Sequence, residues 1–114
     1  IVGSVRCVYE TGVADYFGDN ILYINVMNNL SIDCDCDSNP HDPEMKDIGI
    51  LASTDPVALD QACLDLVYAV KPTEGNDNRP LVNRIESLHG RHTVDYAETI
   101  GLGSKNYELV VLDT

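Results

Sequence analysis

The stretch Ile32-Asp33-Cys34-Asp35-Cys36-Asp37-Ser38-Asn39-Pro40-His41-Asp42 gathers two thiols, an imidazole and several carboxylates into one turn-rich run. Thiolate and imidazole are ligands for zinc or iron. In an extended segment residues two apart point the same way, so both sulfurs of Cys34-x-Cys36 can face one cation while Asp33, Asp35 and Asp37 face away. The expected ligand set is Cys34 and Cys36, with His41 or Asp60 completing the shell and solvent in an open position. Structural zinc and cluster sites usually carry Cys-x-x-Cys pairs, and no such pair occurs here. The alternative is a solvated, turn-forming acidic loop whose cysteines pack as small apolar groups. A disulfide within Cys-x-Cys closes a small strained ring, so an oxidised chain is expected to pair these residues with Cys7 or Cys63 instead. A redox thiol pair is the last-ranked expectation, because neighbouring aspartates raise a thiol pKa.

Other candidates are weaker. Ser53-Thr54-Asp55-Pro56 looks like a helix start, where free amides can hold an anion, but it has no glycine-rich phosphate loop. Asp33, Ser53, Thr54 and Asp55 are the candidates for motif or anion-site roles. Asp60 can turn its carboxylate toward the Cys loop, although an Asp in this setting is more often a structural hydrogen-bonding residue. Gly101-x-Gly103 is too short for a dinucleotide fingerprint and reads as a helix-ending turn. His89 and His92 lie near a helix end, where capping is the default role. No serine stands in a Gly-x-Ser-x-Gly elbow, and no protease motif follows Ile1-Val2-Gly3, so no catalytic residue is assigned.

The elements that must position these groups follow from periodicity. Residues 2–17 carry apolar side chains at helical spacing, ended by Gly18-Asp19-Asn20. Ile21 to Met27 is rich in β-branched residues and reads as a buried strand, broken only by Asn25. Residues 48–53 read as a second strand in which Gly49 permits close backbone approach. A helix from Pro56 to about Val70 follows, then helices near Pro80–His89 and Val94–Ile100, and a third strand near 106–112. Helices alternating with strands predict an α/β fold: a small, mostly parallel sheet with strands near 21–27, 48–53 and 106–112, packed with about four helices. The Cys loop would then lie at the carboxyl ends of parallel strands, where such sheets place their sites.

A chain of 114 residues suffices for one domain, 1–114, with a single core. Seven basic and nineteen acidic residues leave a net charge of −12, which opposes binding to nucleic acid or to an anionic membrane surface. The cysteines lack the regularity of a secreted scaffold, and no apolar run reaches transmembrane length, so the cytoplasm is the expected compartment. The chain opens on Ile1 rather than Met, which points to a C-terminal fragment of a longer protein.

Asn25, Cys34-Asp35-Cys36, Asp47-Ile48-Gly49-Ile50-Leu51-Ala52-Ser53, Asp55-Pro56-Val57-Ala58, Asp60-Gln61-Ala62 and Gly101-Leu102-Gly103-Ser104 occur in that order. With these motifs the chain resembles the C-terminal part of the uncharacterised iron-sulfur centre proteins, domain-of-unknown-function family 362, over roughly residues 13 to 112. The resemblance implies an upstream ferredoxin-like region of the same protein, with Cys-x-x-Cys-x-x-Cys runs binding a tetranuclear (4Fe-4S) cluster. It thus implies a redox protein with an electron-transfer partner, or else a scaffold domain packed against the cluster-bearing part. Cys34, Cys36, Asp55 and Asp60 carry over as motif positions without established roles. Some relatives place a third cysteine directly after Cys-x-Cys, where this chain has Asp37.

Overall fold

The strand Tyr23–Met27 (β1) alternates by face: Tyr23, Asn25 and Met27 turn inward, while Ile24 and Val26 turn out to solvent. The computed structural model describes residues 12–34 and 36–112. A helical turn over residues 12–17 (α1) precedes β1, and Gly49–Ser53 (β2) follows it. Pro56–Ala69 (α2), Arg79–Ser87 (α3) and Arg91–Thr99 (α4) complete the elements. The expected helix over 2–17 is seen only in its described part.

The two strands form one antiparallel sheet, in register from Tyr23 opposite Ser53 to Met27 opposite Gly49. This corrects the expectation of a mostly parallel sheet. Parallel neighbours need a crossover, usually helical, and the described residues between Met27 and Gly49 contain no helix. The expected third strand at 106–112 is also absent: the segment is exposed, and residues 107–112 make no backbone hydrogen bond with the described residues. Its β-branched composition is suited to a strand but supplies no partner. Gly49 needs its glycine for conformation rather than for closeness, since its φ is 143° and an added Cβ would meet nothing within 4 Å.

The long helix α2 crosses the inner sheet face and also packs on α4. Asp55 caps it, and Pro56 occupies its first turn, where a missing N–H costs nothing. Val57, Ala58, Leu59, Ala62 and Val67 are its buried positions. At the far end of α2 the core joins Met27, Met45 and Val67, with Leu30, Ile48, Leu51, Leu66 and Ile85 packed around them. Asn78, the buried polar residue before α3, donates from Nδ2 to the Val67 carbonyl at 2.8 Å. This core lies at the end of the sheet from which the Cys loop leaves. Among the described residues no helix is long and apolar enough to cross a membrane.

Candidate thiol site

Because β1 and β2 are antiparallel, the Cys loop is the connection between them. It is not a loop at the carboxyl ends of parallel strands. Its base is tied first at Asn29, a left-handed residue (φ 52°) whose N–H donates to Asp47 Oδ1 at 2.9 Å. A second tie closes the neck. Ser31 Oγ donates to the His41 carbonyl at 3.2 Å and accepts from the Asp33 N–H at 3.2 Å. Asp33 Oδ2 accepts from the His41 N–H at 2.8 Å and from its Nδ1 at 2.7 Å. Asp33 Oδ1 faces the Arg84 guanidinium of α3 at 3.9 Å. The Asp33 side chain is only 12% exposed, whereas the His41 ring is 78% exposed.

Electrostatics follow this geometry. The His41 backbone N–H, followed by its ring, holds the Asp33 carboxyl below its usual range. The hydrogen bond to Asp33, then its charge, raises the His41 imidazole. A raised histidine stabilises the latch fully below its unfolded pKa and loses that contribution as pH rises through the folded value. A lowered carboxyl contributes above its unfolded pKa and loses that as pH falls through the folded value. The latch is therefore strongest between about pH 4 and 6.5, the ordinary Asp and His values. In an NMR titration, Asp33→Asn is expected to lower the His41 pKa; an unchanged value would show that Asp33 does not hold the ring.

Within the neck, Cys34 and Cys36 are joined to each other as a disulfide. The expected pairing with Cys7 or Cys63 is therefore corrected for Cys63, which is unpaired among the described residues, while Cys7 lies outside them. Both Cys34 and Cys36 are exposed. The Cys36 N–H donates to Cys34 Sγ at 3.3 Å, and the Asp37 N–H donates to the Cys34 carbonyl at 2.9 Å.

The remaining candidates lie elsewhere. Asp60 accepts from Asn25 Nδ2 at 2.8 Å, and the same amide group donates to Cys63 Sγ at 3.4 Å. Asn25 thus serves a polar pair in the middle of the sheet. Burial pushes the Cys63 thiol up. Among the described residues no group of three His, Cys, Asp or Glu is placed to hold a metal ion.

Ser53, Thr54 and Asp55 stand at the opposite end of the sheet. Ser53 Oγ accepts from the Asp55 N–H at 3.0 Å. Asp55 Oδ1 accepts from the Val57 and Ala58 amides at 2.9 and 3.1 Å, so these helix-start donors hold an internal carboxylate. Asp55 Oδ2 accepts from the Ser104 N–H at 2.9 Å, which fastens the segment after α4 to the start of α2. A Cβ on Gly103 would collide with this carboxylate. The adjoining open cleft, about 650 Å³, is lined by Asp15, Asp19 and Asp55 among others.

Ser31, Asp47 and Arg84 hold the neck, a role that neither the spacing of Arg84 nor the motif containing Asp47 points to. A short-range signal exists for Ser31, since a hydroxyl two residues before an aspartate forms a local turn.

The family profile described as Domain of unknown function (DUF362) matches residues 6–65, more than half of the 114-residue chain. The chain belongs to the DUF362 family. The matched DUF362 stretch contains β1, the Cys loop, β2 and the first part of α2. Gly103 and Ser104 lie beyond it, yet they fold back onto Asp55 inside it. No curated protein and no solved structure matches the chain.

Proposed function

We propose that this domain is part of a cytoplasmic iron-sulfur-type redox protein, to which it contributes the Cys34-x-Cys36 loop as a two-electron thiol centre. The observation that supports the reading is the paired, exposed Cys34 and Cys36 on a loop whose neck is closed by Ser31, Asp33 and His41. In a reducing compartment an exposed disulfide of this kind is usually transient and catalytic or redox-sensing. The resemblance adds a tetranuclear cluster, held by another region of a longer polypeptide, as the expected electron donor or acceptor.

A resident zinc or iron at this loop does not fit the residues as they stand. The two sulfurs are bonded to each other, Asp60 is committed to Asn25, and the described residues present no three-ligand group. No step is therefore routed through a metal. The chain's own residues account for the chemistry. The neck keeps the loop in place, and the Cys36 N–H stabilises negative charge on Cys34 when the bond opens.

The test is a redox titration of the purified domain against a neutral dithiol buffer, with thiols alkylated and mapped by mass spectrometry. Cys34 and Cys36 are expected to appear and disappear together as one two-electron couple. Independent titration, or no reoxidation to the pair, would sink the reading. Elemental analysis of anaerobic, reduced protein beside Cys34→Ser/Cys36→Ser belongs to the same experiment. Metal near one per chain that is lost in the variant would replace the thiol reading with the zinc or iron one.

A second reading is favoured by the outer sheet face. Ile24, Val26 and Ile50 are each more than half exposed there, continuous with Leu22. Contiguous exposed apolar surface of this kind marks an interaction site. In this reading the domain is a scaffold packed against a cluster-bearing region. Slower amide exchange in β1 and β2 within the longer polypeptide than in the isolated domain would support it; equal exchange would count against it.

A further inference from the structure

Resting on the thiol-pair reading above, we propose that the Cys34–Cys36 couple selects cationic thiol partners, so that its physiological exchange partner presents a basic rim around its reactive sulfur. Residues 31–44 contain five carboxylates, Asp33, Asp35, Asp37, Asp42 and Glu44, and no Lys or Arg. Asp33 is engaged with the His41 ring and the Arg84 guanidinium. Asp37, Asp42 and Glu44 remain exposed on the same loop as the sulfurs. Their charges reach the neck, since Asp37 and Glu44 both raise the His41 imidazole. The whole chain adds a net charge of −12. A field of one sign raises the local concentration of the opposite ion and repels its own kind.

The reaction is thiol–disulfide exchange. An external thiolate attacks Cys36 Sγ, forming a bond to that sulfur and breaking the Cys34–Cys36 bond. Cys34 leaves as the thiolate because the Cys36 N–H already points at it, at 3.3 Å, and a stabilised thiolate leaves faster. A second external thiol then attacks the mixed disulfide, releasing Cys36. The protein disulfide and two external thiols become the protein dithiol and one external disulfide: two electrons enter the protein, and the two protons come from the external thiols. Each attacking thiolate enters a negative field, which a cationic substituent offsets.

Three small thiols measure this on the folded domain: cysteamine, whose ammonium makes the attacking thiolate net neutral; 2-mercaptoethanol, which attacks as a monoanion; and mercaptoacetate, which attacks as a dianion. Rates of opening of the Cys34–Cys36 bond, followed by alkylation and mass spectrometry of that peptide, are compared per unit of thiolate. At low ionic strength cysteamine is expected to outpace mercaptoacetate by about ten-fold or more, with the ratio collapsing at high salt. Asp37→Asn/Asp42→Asn is expected to shrink the ratio by speeding mercaptoacetate most, while leaving the cysteamine rate within about two-fold. Equal rates for the three thiols, or a ratio insensitive to salt, would overturn the partner inference and leave the thiol couple standing. A pair that no thiol opens, or that does not re-form, would overturn the thiol reading itself.

Discussion

Gly103→Ala is expected to lower the unfolding free energy by about 2 kcal/mol, the sum of a lost helix cap and a lost buried-edge hydrogen bond. The new methyl would occupy the space of the Asp55 carboxylate, which must then release the Val57 and Ala58 amides, the Ser104 amide, or all three. Urea denaturation measures the effect, with an unchanged slope identifying it as a change in stability. Asp55→Ala alone is expected to cost about as much. The two changes act on one contact, so the double variant should lose little more than either single variant. Additive losses would show that Gly103 and Asp55 act separately.

Met27→Ala is expected to cost about 2–4 kcal/mol, the usual range for truncating a buried side chain. Met27 is 5% exposed and joins Met45 and Val67 in the core below the loop neck. Met27→Leu preserves volume and should stay within about 1.5 kcal/mol of the wild type. The same comparison reaches the site. Met27 ends β1 and Asn29, two residues on, forms the first tie of the loop, so a cavity there loosens the neck. Cys34–Cys36 should open faster with 2-mercaptoethanol in Met27→Ala than in Met27→Leu; equal rates would show that the neck holds without its core support.

Local patterns were legible in the sequence where one residue type dictates the local backbone. Asp55-Pro56 marks the start of α2, and the β-branched run at 21–27 marks β1, because capping and strand preference act within a few residues. Strand direction departs from the parallel expectation although the chain carries the clue: no helical period separates Met27 from Gly49, and a parallel pair would need a crossover. The segment 106–112 shows the limit of propensity, since Tyr107-Glu-Leu-Val-Val-Leu has strand composition but gains a ladder only where a neighbour offers one. Ring strain argues against a Cys34–Cys36 bond, and spacing alone does not reveal that the two are paired. The loop neck depends on Arg84 and Asp47, which are remote in sequence, so only a part of the candidate site could be read from spacing. Of the two readings of Asp60, as a ligand turned toward the loop or as a structural hydrogen-bonding residue, its bond from Asn25 of β1 accords with the second.

The bare ribbon formed by β1 and β2 has a colloidal consequence. It offers apolar side chains on one face, and among the described residues no third strand pairs with either edge, which is the template by which two ribbons zip together. Twelve excess negative charges on each copy oppose that encounter, and their reach shrinks as salt rises or as pH approaches the isoelectric point near 4.2. Self-repulsion is therefore expected to set how readily such copies associate.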